Sequence, residues 1–279
     1  MKMKYELLVV TVTYKPEISE LIKFIDSYKR YNDLGKSAKL VIVDNSPTSF
    51  LDISRIKSKY PDVTIVENPN NPGFGASNNI GFKLFKSDYV LFMNNDTEFV
   101  EPVFKSLIKL HESDEHIGCI GIRQLGSKLS YFKKFTTPSN INCSNFNEKY
   151  HIISGAFMFF KSNAFIECGM FDTKIFMYLE EFDISERLNR KNYHVIYASQ
   201  YYFLHKKERH RKEINERLWI IGAQSQLYVC KKYGLNPRIG FYGANKRLYK
   251  YLCYYLVLFK IRDLFMILRI LKYRYSILK

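Results

Sequence analysis

Asp88-Tyr89-Val90-Leu91-Phe92-Met93-Asn94-Asn95-Asp96-Thr97-Glu98 is an apolar, strand-like run that ends abruptly in amides and carboxylates. A strand buried on both faces of a parallel sheet reads as continuous apolar sequence, and ligands of open α/β sheets bind just beyond the carboxyl ends of such strands. Asp96 therefore falls where a hard divalent cation would sit. Such a cation is the usual companion of a nucleoside diphosphate, because it neutralises charge on a departing phosphate. A simple turn of Asn and Asp is the competing account of the same residues.

Two further strand-like runs also end in polar residues, at Thr13-Tyr14 and at Asp44-Asn45-Ser46. Between Asn68 and Gly81 lies an amide- and glycine-rich loop that includes Asn71, Gly73 and Asn78. Its glycines permit close backbone approach, and a helix is predicted to begin at Ala76 or Ser77. The loop matches neither GxGxxG nor GxxxxGK[ST], which leaves the dinucleotide and P-loop readings weak. Downstream, Glu180, Glu181 and Asp183 cluster in an acidic block, and His205 follows the strand-like Tyr201-Tyr202-Phe203-Leu204. Acids at a helix start also favour the macrodipole, and a lone His after an apolar run is commonly structural.

The elements that must position these residues alternate. Leu7 to Thr13 is rich in β-branched residues, Ile18 to Tyr31 places Ile18, Leu21, Ile22, Ile25 and Tyr28 at helical spacing, and Leu40 to Val43 forms a second strand. A short helix over Ile53 to Lys59 and a strand over Val63 to Val66 follow. Strands alternating with helices predict βαβ units and a mostly parallel, Rossmann-like α/β sheet.

At 279 residues the chain can bury a full core. The composition, 47% hydrophobic and 25% charged, is that of a globular protein, and the net charge of +16 calls for nucleic acid, anionic lipid or a phosphorylated substrate. Five widely spaced cysteines without a CxxC indicate neither a disulfide framework nor a zinc site, which fits a reducing cytosol. The N-terminus runs straight into a short strand, so no signal peptide is expected.

Taken together, Val12-Thr13-Tyr14, Val43-Asp44-Asn45-Ser46, Asn68 through Gly81, Met93 through Glu98, and Gly169 through Asp183 resemble the family 2 glycosyltransferases of GT-A fold. The resemblance covers roughly residues 5 to 235, and leans to the rhamnosyltransferase-like and galactofuranosyltransferase-like branch of bacterial surface polysaccharide synthesis. It implies an inverting transfer from dTDP-rhamnose or a UDP-sugar to a hydroxyl of a lipid-linked glycan, with Mn2+ or Mg2+. By the same resemblance Asp44 bonds the pyrimidine, while Thr13, Tyr14, Asn45, Asn71, Gly73, Asn78, Asn94 and Asn95 line the nucleotide. Asp96 and His205 hold the metal. Glu181 aligns with the usual Asp base, with Glu180 and Asp183 as alternatives, and Ser154-Gly155-Ala156 floors the acceptor site. Asn94-Asn95-Asp96 departs from the family's Asp-x-Asp, so one carboxylate carries most of the charge there. The cation-dense stretch Lys206 to Lys212 suits a clamp on the diphosphate or a solvated basic face.

These expectations divide the chain into a catalytic domain over 1–235, with a nucleotide half to 100 and an acceptor half beyond, and a tail over 236–279. From Gly240 onward many cations face one acid, Asp263, and the longest uncharged apolar stretch, Tyr251 to Phe259, falls short of the roughly 20 residues that span a bilayer. A basic amphipathic helix or helix pair lying on an anionic leaflet is expected, making the protein cytoplasmic and peripheral on the inner face of the membrane. Packing against the catalytic domain or a second protomer is the alternative for the tail. A non-catalytic binding protein for nucleic acid or membrane surfaces is the rival function, with 22 Tyr and 22 Phe as stacking surfaces. No usual RNA-binding motif accompanies them. A nucleotidyltransferase would want a glycine-rich basic signature near the N-terminus, which Val12-Thr13-Tyr14-Lys15-Pro16 does not supply.

Overall fold

The computed structural model describes residues 4–47, 53–126, 131–137, 140–141, 143–205 and 215–278. Two compact units divide the chain: Met1–Lys133, Cys143–Lys174 and Glu180–Lys207 in the first, and Lys134–Asn142, Ile175–Leu179 and Glu208–Lys279 in the second.

In the first unit the strands are β1 (Lys4–Thr13), β2 (Ala38–Asp44), β3 (Thr64–Glu67), β4 (Lys86–Met93), β5 (Thr97–Phe99), β6 (Ile117–Leu125), β7 (Tyr131–Lys133), β8 (His151–Ile153), β9 (Phe157–Lys161) and β10 (His194–His205). The helices are α1 (Ile18–Tyr31), α2 (Ile53–Lys59), α3 (Phe74–Phe82), α4 (Phe104–Glu112), α5 (Ser162–Glu167) and α6 (Glu180–Arg190). Eight strands form one sheet in the order β3-β2-β1-β4-β9-β6-β10-β5, and β7 pairs with β8 apart from it. Strands β1 to β4, β6 and β10 run in one direction; β9, between β4 and β6, and the edge strand β5 run against them.

The expected mostly parallel sheet flanked by helices is present, and the apolar runs have the reason inferred for them. Leu7, Val9, Leu40, Ile42, Leu91 and Met93 enter the core on one face, with Leu21, Phe24 and Ile25 of α1. Their alternates Leu8, Val10, Val41, Val43, Val90 and Phe92 enter the other, with Phe165 of α5 and Phe171. A strand with both faces covered has no polar face to display. Helix α3 packs so closely that a Cβ on Gly81 would lie 2.6 Å from Val10 Cγ1 and 3.0 Å from Val43 Cγ2, which is why glycine stands there. It starts at Phe74, two residues ahead of the expected start, because Gly73, at φ +102, makes the turn into it.

His111 of α4 is buried, with Nδ1 3.0 Å from the carbonyl oxygen of Ile117 and Nε2 3.3 Å from that of Phe159. Burial pushes its pKa down to about 4. The unfolded imidazole takes its proton near pH 6.5, so this residue's contribution to stability is complete above 6.5 and is lost as pH falls towards 4, up to about 3 kcal/mol. The urea midpoint should therefore drop between pH 6.5 and 4.5, and drop less in His111→Phe, which keeps a ring beside Tyr89 and Phe159.

The second unit is built on α7 (Glu216–Tyr233), α8 (Pro237–Val257) and α9 (Ile261–Ser276). Leu248, Tyr255, Ile267, Ile270 and Leu271 form its core, with Trp219 packed against it. Arg269 donates to Glu216 through Nε and Nη2 at 2.9 and 2.7 Å, and Gln224 donates to the Tyr273 hydroxyl. Helix α7 thus groups with α8 and α9. Arg274, fully buried, donates to Asn245 Oδ1 at 2.7 Å and lies 4.3 Å from the Phe241 ring centre; burial lowers its pKa to about 10. Among the described residues the cysteines are free, and no helix is long and apolar enough to cross a membrane.

Candidate active site

Strand register decides which polar ends meet. The parallel pairing of β1 and β2 sets Thr13 opposite Asp44, and both are buried. Asp44 Oδ1 accepts three hydrogen bonds: from Thr13 Oγ1 at 2.8 Å, from Ser46 N–H at 3.1 Å and from Ser46 Oγ at 2.6 Å. Ser46 Oγ accepts from the Lys15 N–H at 2.7 Å, which holds Lys15 at φ +49, a left-handed conformation that side chains seldom adopt. Next to this knot Tyr14 is 48% exposed, the Lys15 ammonium 5.6 Å from its ring centre.

Asn45 and Asn78 are engaged inside the scaffold. Asn45 Oδ1 accepts from Asn68 Nδ2 at 2.7 Å and Ser77 Oγ at 3.0 Å, which binds the end of β2 to the loop before α3. Asn78 Nδ2 donates to the Phe74 carbonyl one turn earlier in its own helix. Asn71, at φ +41, donates its N–H to the Asn68 carbonyl and, with Gly73, shapes the loop. Asn79, not singled out from sequence, makes a two-way lock: its Nδ2 donates to the Phe171 carbonyl at 2.8 Å and its Oδ1 accepts the Phe171 N–H at 3.1 Å. That pairing spans 92 positions, beyond any local signal.

The antiparallel pair β4–β9 carries the next link. Met93 faces Phe157, and the Asn94 N–H donates to the Ala156 carbonyl at 3.1 Å. Asn94, Asn95 and Asp96 are half-buried beyond it, with the Thr97 hydroxyl donating to the Asn94 carbonyl. On the other side of the same turn, the carboxyl of Glu181 lies over Gly155, where an added Cβ would meet its Cδ and Oε2 at 3.7 Å. Glu181 is in the first turn of α6 and only partly exposed. Burial raises its carboxyl pKa above the ordinary Glu value, against a smaller lowering by its own backbone N–H. Ser154 Oγ accepts the Ala156 N–H and stiffens the turn.

The neighbouring acids differ. Glu180 is buried, its Cγ 3.6 Å from where a Gly75 Cβ would stand. Asp183 is fully buried, and its Oδ2 accepts from Arg187 Nε at 2.9 Å and Nη2 at 2.6 Å; Arg187 Nη1 also donates to the Cys168 carbonyl. The i,i+4 acid-to-arginine spacing is the sequence signal for that pair. Asp172 Oδ1 accepts the Lys174 N–H in a turn.

The edge pairing of β5 with β10 sets Thr97 opposite His205. Asp96 Oδ2 consequently lies 3.2 Å from His205 Nε2, although the residues are 109 positions apart. His205 Nδ1 is buried and has no hydrogen-bond partner among the described residues. A carboxylate and an imidazole this close are a donor set that a single divalent cation could share. Among the described residues no third His, Cys, Asp or Glu joins them, so other ligands would be substrate oxygens or water. Lys206 to Lys212 lies outside the described residues.

Poly-beta-1,6-N-acetyl-D-glucosamine synthase of Staphylococcus aureus (strain COL) is 25% identical over 170 residues, which is 58% of this chain and 41% of that protein. The chain thus spans less than half the length of the curated relatives it matches. Among solved structures, the mannosyltransferase PcManGT from Pyrobaculum calidifontis, in complex with GDP-Man and Mn2+, gives a TM-score of 0.59 at 14% identity over 98% of this chain and 76% of that one. S. aureus TarS 1-349 in complex with UDP-GlcNAc gives 0.56 at 16% identity, over 80% of this chain and 66% of that one. These two likenesses show the GT-A fold. Residues 8–173, from within β1 to just past the Phe171-Asp172 turn, match the family described as Glycosyl transferase family 2, and the chain belongs to that family.

Proposed function

We propose that this protein transfers a sugar, with inversion, from a pyrimidine nucleoside diphosphate to a hydroxyl of a lipid-linked glycan in cell-surface polysaccharide synthesis. One observation carries the reading. The turn Ser154–Ala156 is hydrogen-bonded to Asn94, two residues before Asp96, and also lies under the Glu181 carboxyl, so the end of β4 that leads to Asp96 and a candidate proton acceptor meet at one turn.

Each residue then has a task. Asp44 receives a ring N–H of the base on the oxygen that Thr13 and Ser46 leave open, and Tyr14 stacks on the base. Asp96 and His205 hold Mn2+ or Mg2+, which when bound offsets charge on the departing diphosphate. Glu181 takes the proton from the acceptor hydroxyl as its oxygen bonds to the anomeric carbon and the bond to the diphosphate breaks. Its raised pKa suits a base working near neutral pH. Asp183, held by Arg187, orients α6 and does not serve as the base. The relatives named for N-acetylglucosamine and the UDP-GlcNAc complex make a UDP-N-acetylhexosamine the first donor to try, with dTDP-rhamnose and UDP-galactofuranose after it. The lipid carrier of the acceptor would bring the protein to the cytoplasmic face of the membrane, with the basic C-terminal helices as the contact.

Calorimetric titration of UDP, dTDP, GDP and CDP, with and without manganese, tests the donor side. Manganese-dependent binding of UDP or dTDP, and of neither GDP nor CDP, is expected. A folded protein that binds none of them would sink the assignment.

A further inference from the structure

The described part of the C-terminal unit exposes its apolar side chains unevenly. The buried stripe of α9 (Ile267, Ile270, Leu271) faces the unit's own core, so that stripe is not what a membrane would meet. Apolar residues are exposed along the unit, at Leu218, Tyr249, Leu268 and Tyr275 among others, but the most exposed of them gather at one end, around the α8–α9 turn: Tyr254, Leu256, Val257, Phe259, Ile261 and Phe265. Val257 is 74% exposed and Phe259 86%. Monomeric proteins seldom leave such a contiguous cluster to water.

The turn is also built at a cost. The Phe259 N–H donates to the Leu256 carbonyl at 3.2 Å and the Lys260 N–H to the Tyr255 carbonyl at 3.0 Å, the double bond of a Schellman helix end. The first of those two donors occupies the position that is left-handed and normally glycine. Here it is Phe259, at φ +50. A bulky side chain held in that conformation and pointed at solvent is strained with no return from the fold itself.

The surroundings say what covers it. Lys260 and Arg262 sit in the turn, Lys250 lies on α8 about 10 Å back along the axis, and from Arg217 to the C-terminus Asp263 is the only acid. A second copy of a chain carrying +16 would be repelled by this rim, whereas an anionic surface is attracted to it. We propose that the α8–α9 turn is a membrane wedge: Phe259 and its apolar neighbours enter the acyl boundary of an anionic leaflet while Lys250, Lys260 and Arg262 meet lipid phosphates. The wedge deepens the reading of a lipid-carried acceptor and, for its purpose, rests on it.

Phe259→Gly is the decisive variant, because it removes the ring and at the same time supplies the residue the turn prefers. The full chain is sedimented with phosphatidylcholine vesicles with and without phosphatidylglycerol, and manganese-UDP titrations and thermal melts are run beside it. The expected result is binding that needs phosphatidylglycerol, weakened about tenfold or more in Phe259→Gly, with Tm unchanged or higher and UDP binding intact. Equal binding by Phe259→Gly, equal binding to neutral vesicles, or no binding to either would overturn the wedge. Loss of UDP binding by the parent chain, with vesicle binding still dependent on Phe259, would sink the donor reading and leave the wedge standing.

Discussion

Glu181→Gln is expected to bind UDP and manganese as the parent chain does and to transfer sugar about 1,000-fold more slowly, the scale on which a positioned base contributes. The amide keeps the shape over Gly155 and cannot take a proton. A pH profile separates this from a structural role. A base must be ionised, and burial holds this carboxyl protonated to a higher pH than an ordinary Glu, so kcat of the parent falls on acidification through a pKa above 4.5. The residual rate of Glu181→Gln should lack that acid limb. Asp183→Asn gives the contrast: it removes the partner of Arg187 inside the unit, so a lower Tm is its main effect. Full activity in Glu181→Gln would move the base elsewhere.

The second large effect is expected at Asp96. Asp96→Ala removes the carboxylate beside His205, and calorimetry should show manganese-dependent UDP affinity falling at least about 100-fold to the level seen without metal. Weak metal-free binding through the Asp44 pocket should survive, since Asp44 is held by Thr13 and Ser46 and not by this edge. His205→Ala should show the same pattern more mildly. Unchanged manganese dependence in Asp96→Ala would show that the cation is bound elsewhere.

Much of the first hundred residues' fold is legible in their order. Helix α1 spans the residues that periodicity assigns to it, because Leu21, Phe24, Ile25 and Tyr28 have one core to face. Strands β1, β2 and β4 announce themselves by unbroken apolar runs, and their ends by the first polar residues after them. Direction and pairing are a different matter. Phe157-Met158-Phe159-Phe160 reads as a buried strand, but nothing local says that it runs against β4 and inserts beside it. The Asn79–Phe171 lock and the Asp96–His205 approach are likewise products of long-range register. Asn45, which the resemblance sets at the nucleotide, also joins the end of β2 to Asn68, and Asn78 bonds the Phe74 carbonyl within its own helix; neither scaffold bond is announced by the residue type. The C-terminal helices are legible as basic and apolar; that the most exposed apolar residues collect at one turn depends on which side each helix turns to its neighbour.

The threading of β9 and β5 also governs the order in which the protein can be completed as it leaves the ribosome. Strand β4 acquires its second neighbour only after Phe157–Lys161 has been made, and among the described residues β5, which packs on α1, has no strand partner until Phe203–His205 emerges. The first hundred residues, which read as a self-contained nucleotide-binding half, therefore carry an open edge through the synthesis of the next hundred. The Asp96–His205 pair is formed at the last pairing of the sheet, so a chain truncated before residue 203 would keep Asp44 with Thr13 and Ser46 and lack that pair. Exchange of the donor half between relatives at residue 100 would likewise fail unless β9 and the end of β10 travelled with it.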